Sequence, residues 1–102
     1  MRVYLERSGG FTGITMSIDL DTDSLSDEEA RMLREHVSKA GFFSLPAQSA
    51  RPTRGADRLQ HVVRVEADDG RVHTVTAIDG AIPAALQPLL DYLQKKMRKG
   101  RN

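Results

Sequence analysis

Apolar and polar residues alternate from Arg2 to Arg7, with Val3 and Leu5 on one side and Arg2, Tyr4 and Glu6 on the other. A period of two is that of a strand with one buried face. The same alternation returns in Ile14, Met16, Ile18 and Leu20, separated by Thr15, Ser17 and Asp19. Between the two runs lies Arg7-Ser8-Gly9-Gly10-Phe11-Thr12-Gly13. Its glycines reach positive φ without steric cost, so the stretch predicts the connection of an antiparallel β-hairpin. Phe11 in that connection either folds back over the sheet or points at a partner.

The period then changes. Ala30, Leu33, Val37 and Ala40 share one helical face, while Arg31, Arg34, Glu35 and Lys39 fall on the other. Ser26 and Glu29 have capping-box spacing, and Asp27, Glu28 and Glu29 place negative charge at the positive end of the helix dipole. Gly41 predicts a left-handed stop, after which Phe42 folds back on Val37. Phe43, Leu45 and Pro46 continue as an apolar exit from the helix. From Ala47 to Asp57 the chain is small, polar and basic, which predicts a surface loop.

Alternation resumes at Leu59, His61, Val63, Val65 and Ala67, and a fourth strand runs from Val72 to Ile78. Asp68-Asp69-Gly70-Arg71 joins them as a hairpin turn. Its register has two solutions. A two-residue turn puts Val72, Thr74, Thr76 and Ile78 on the face shared with Val63 and Val65; a bulged turn buries Val75 and Ala77 instead. Leu86, Leu89, Leu90, Leu93 and Met97 form the stripe of a second helical region that opens at Pro83. Pro88 lacks an amide proton, so either residues 83–87 form a separate turn or the helix bends there. The order ββαββα predicts an α+β domain, a four-stranded antiparallel sheet with two helices on one face.

Composition narrows the function more than the fold. The 102 residues fit one domain, 1–102, with 95–102 expected as a frayed basic tail. Net charge is +1, which gives no general argument for nucleic acid or an anionic membrane. Arg51, Arg54 and Arg58 lack interleaved aromatics, so the basic loop reads as solvated rather than as a nucleic-acid surface. The chain has no cysteine and no signal-peptide pattern, and it reads as a cytoplasmic protein, monomeric when free. Asp19, Asp21 and Asp23 mimic the opening of a calcium loop, but Ser24 and Ala30 stand where Gly and Glu are needed. His36, His61 and His73 show no metal-ligand spacing, and His61 reads as a hydrogen-bonded core residue. Neither a metal nor a cofactor is expected. The glycine-rich connection has no P-loop lysine and no following helix, and no nucleophile-and-base constellation is present. These features point to a binding domain and not to an enzyme.

The chain carries a set of short motifs in a definite order. They are the Arg7–Gly13 stretch, Leu25 before an acidic helix start, Ala40-Gly41-Phe42-Phe43-Ser44-Leu45-Pro46, Gly55-Ala56-Asp57-Arg58, Val72-His73-Thr74-Val75, and the run from Ile82-Pro83 to Leu90. In these motifs and their order the sequence resembles the emfourin (protealysin inhibitor) family over nearly its whole length, with His61 standing where an aromatic such as Tyr is expected. The resemblance implies a proteinaceous inhibitor of thermolysin-like zinc metalloproteases that blocks the active site. A non-inhibitory interaction or escort module is the alternative.

A site of that protease type has a zinc ion beside an apolar pocket, so an inhibitor should offer an oxygen and an apolar side chain. Two stretches qualify. One is Gly9, Gly10 and Phe11 on the glycine hairpin; the other is Leu25 with Asp27 and Glu28 at the helix start. Leu25 and Glu28 are three apart, so both could face outward together, while Ser26 and Glu29 serve the capping box. A purely structural role is the competing account: Leu25 staples onto its own helix and Glu28 favours the dipole.

Overall fold

The computed structural model describes residues 1–9, 15–47 and 59–99. Gly10 and Phe11, the Arg51–Arg58 loop and residues 100–102 lie outside the described residues. The elements are β1 (Arg2–Gly9), β2 (Met16–Asp21), α1 (Asp27–Ala40), β3 (Leu59–Glu66), β4 (Val72–Ile78) and α2 (Gln87–Lys99). They form one antiparallel sheet in the order β2-β1-β3-β4, so the fold is the ββαββα arrangement that the periodicities imply.

β1 lies inside the sheet, with Val3 opposite Leu20 on one side and Val65 on the other. Its inner face, Val3 and Leu5, is fully buried with Val63, Val65, Val75 and Ala77. From the helices, Leu33, Val37, Leu86, Leu89, Leu90, Leu93 and Met97 complete the core. α1 starts where Ser26 Oγ accepts the Glu29 amide at 3.2 Å. It stops at Gly41, with φ 58° and ψ 42°. Beyond the stop, Phe42 is buried and meets the His73 ring edge-on at 5.6 Å.

The bulged solution holds in the second hairpin. Gly70 N–H donates to Ala67 O, Ala67 N–H donates to Arg71 O, and Gly70 has φ 91°. This is a three-residue turn closed by a glycine bulge. It places Val75 opposite Val63 and Ala77 opposite His61, with all four buried. The second helical region also resolves: residues 84–86 form a turn and α2 begins at Gln87. Pro88 therefore falls in the first helical turn, where no amide proton is required.

Two expectations need correction. Lys95 to Lys99 are not a frayed tail but the last turns of α2. The reason is packing, since Met97 is buried and Lys96 reaches Glu29 on α1 at 3.4 Å. By the same contact, the Glu29 carboxylate is held by α2 rather than serving only its own helix start.

Candidate functional site

The start of α1 is fixed by a chain of local bonds. At the end of β2, the Asp21 carboxylate accepts the Asp23 amide at 3.0 Å and opens a short 3-10 turn, Thr22–Ser24. Thr22 is buried, and its Oγ1 accepts from the Met1 amino group at 3.0 Å and from Arg34 at 3.2 Å. Arg34 also reaches Asp68 in the β3–β4 turn. The amino group and Arg34 hold the Asp68 carboxyl below the usual carboxylate range, mainly through the bond from the amino group. The turn is thus tied to β1, α1 and the second hairpin together.

Leu25 follows in extended conformation, half-buried against the core. With Thr22, Asp23, Asp27, Arg31 and Arg34 it lines a shallow groove of about 530 Å³. Glu28 turns to the other side of the helix. It lines a groove of about 740 Å³ between α1 and the start of α2, with Arg31, Met32, His36 and Pro88. Leu25 and Asp27 therefore share a groove, and Glu28 does not join them. Asp27 and Glu28 are exposed and form no ion pair among the described residues.

Further along α1, Arg31, Glu35 and Lys39 form a ladder of ion pairs at 3.4 and 3.1 Å. The bond from the Lys39 ammonium holds the Glu35 carboxyl below its usual value. Across the second groove, His36 stacks on Tyr92 at 4.6 Å, and Lys96 lies over the same ring. This clasp between the helices involves Tyr92 and Lys96, which no local sequence signal links to His36 and Glu29.

Gly9 ends β1 with φ 100°. It lies at the opposite end of β1 from Arg2, whose partner Asp21 leads into the α1 start. At about 3.3 Å per residue, the Arg2 and Gly9 ends of β1 are about 23 Å apart. His61 is on the Gly9 side of the sheet. It is 2% exposed, and its Nε2–H donates to Asp79 at 2.7 Å. It is a core histidine, as its place in the alternation suggests. Among the described residues, no group of His, Asp and Glu could hold a metal ion, and no helix is long and apolar enough to cross a membrane.

Comparison with curated proteins and with solved structures finds no match in either. A family model described as Emfourin does match, over residues 5–94. That span runs from inside β1 to the middle of α2 and includes the groove-lining start of α1. With nearly the whole sheet-and-helix unit matched, the chain belongs to the Emfourin family.

Proposed function

We propose that this protein inhibits thermolysin-like zinc metalloproteases by seating the start of α1 in the active-site cleft. Membership of the Emfourin family carries the reading, since the resemblance implies protease inhibition. The protein then acts by binding as a free monomer and has no catalytic role of its own. A standard inhibitor interface takes about 800 Å² per partner. That is about an eighth of the 6405 Å² surface, which this domain can present.

Exposed groups at the helix start support this reading. Asp27 and Glu28 offer exposed carboxylates on either side of the first turn, and Leu25 offers an apolar group next to Asp27. A carboxylate oxygen is a suitable zinc ligand. The backbone beneath them is held by the Asp21, Ser26 and Thr22 bonds, so little ordering entropy is lost on docking. Gly9, Gly10 and Phe11 form the second candidate contact.

The test is titration of several thermolysin-like enzymes with this protein, reading peptide turnover. Stoichiometric loss of activity is expected with at least one of them. Normal turnover in every enzyme at a large molar excess would count against inhibition.

A further inference from the structure

The two edges of the sheet are finished differently. Thr22 N–H donates to Met1 O, next in register after the Arg2–Asp21 pair. Ladder bonds alternate along an antiparallel pair. The backbone groups of Met16, Ile18 and Leu20 therefore point at β1, and those of Ser17, Asp19 and Asp21 point away from the sheet. The Asp79 N–H to Leu59 O bond at the far end of the sheet agrees with this phase. On the opposite edge, the outward amide of Thr76 is taken by Ala47 O at 2.8 Å. The outward backbone groups of Ser17 and Asp19 have no bond among the described residues.

An open strand edge is a template for another strand, and side chains decide which strands it accepts. On the outer face, Asp19 and Asp21 share the single guanidinium of Arg2, at 3.5 and 3.6 Å, so the row stays net negative. Like charges opposite each other oppose pairing. A second copy of this edge, or any acidic strand, meets that repulsion. On the inner face, Ile18 and Leu20 are half-buried and flank the core. Side chains on a paired strand alternate in the same way. We propose that the outward edge of β2, which makes no backbone bond among the described residues, accepts an extended segment of a partner protein in which Lys or Arg alternates with apolar residues. The basic side chains face Asp19 and Asp21, and the apolar ones cover Ile18 and Leu20. The inference does not rest on protease inhibition, and its test involves no protease.

The probe is a blocked Lys-Val-Lys-Val-Lys peptide, with Glu-Val-Glu-Val-Glu as the comparison, followed by amide NMR on the full chain. Saturable shifts and slowed hydrogen exchange at Ser17 and Asp19 are expected with the lysine peptide alone. Asp19→Pro removes an outward amide without touching the β1 ladder, a position where an edge strand tolerates proline. It should weaken binding at least tenfold, with the melting temperature checking the fold. If that variant does not fold, Asp19→Lys decides the matter, with the same tenfold loss expected. The proposal is overturned by absence of saturable shifts at these amides, by equal binding of the glutamate peptide, or by wild-type affinity in a folded Asp19 variant.

Discussion

Shortening Leu25 to alanine separates two roles that its position combines. The side chain is half-buried against its own core and also lines the groove beside Asp27. Removing a fully buried leucine costs about 2–5 kcal/mol, so roughly half, about 1–2 kcal/mol, is expected here. In a domain of this size that lowers the melting temperature by about 5–15 °C. Full burial of a leucine contributes about 1.5–3 kcal/mol. Because Leu25 is already half covered, docking can add only about 1 kcal/mol, or about a fivefold rise in the inhibition constant. The assay pairs thermal melting with inhibition of a responsive enzyme, measured well below the variant's own transition. Loss of stability with an unchanged inhibition constant would show that Leu25 only packs. A hundredfold loss would contradict docking of the chain as folded, since the exposed half cannot supply it. Asp27→Ala and Glu28→Ala complete the series, because each leaves the apolar core intact. Whichever carboxylate approaches the zinc should show the larger loss of inhibition.

Further outcomes follow from other parts of the fold. Gly41→Ala should cost about 1–2 kcal/mol in urea unfolding, because its φ is 58° and an added Cβ meets nothing within 4 Å; a much larger loss would mean a hidden clash. Asp79→Ala should cost about 1–3 kcal/mol by removing the acceptor of buried His61, and unchanged stability would refute that. The Glu35 carboxyl, lowered by the bond and charge of Lys39, should titrate below the usual glutamate range by NMR, and Lys39→Ala should move it upward. Since the folded value is the lower one, the pair's contribution is present above the unfolded glutamate pKa. It fades as pH falls through the folded value, so wild type and Lys39→Ala should converge in acid.

Local chemistry carried most of the fold. The Val3/Leu5 and Val63/Val65 alternations, the Ser26 cap and the Gly41 stop each depend on neighbours within four residues, and each is visible in the chain. The undecided points needed distant partners. Both registers of the second hairpin satisfied its own pattern, and the inner place of His73 beside Phe42 accompanies the bulged one. Lys96 looked like tail because its partner Glu29 is far away in sequence. For the site, the exposure of Asp27 and Glu28 was legible, but their separation was not. Spacing along a helix gives the angle between two side chains, and the packing of α2 beside Glu28 turns that angle into two grooves.

The inner place of β1 has a consequence for synthesis. It is made first, yet one of its two neighbours, β3, ends only at Glu66. The 45 residues from Thr22 through Glu66 take roughly 2–9 s to translate at 5–20 residues per second. During that interval the β1–β2 hairpin can form, while the β1 edge that will receive β3 has no partner and Val3 and Leu5 lack their cover. The emerging chain then has two exposed edges, and only the β2 one carries a row of aspartates. A ribosome-bound chain stopped before β3 should therefore associate through β1, the strand that the finished sheet encloses.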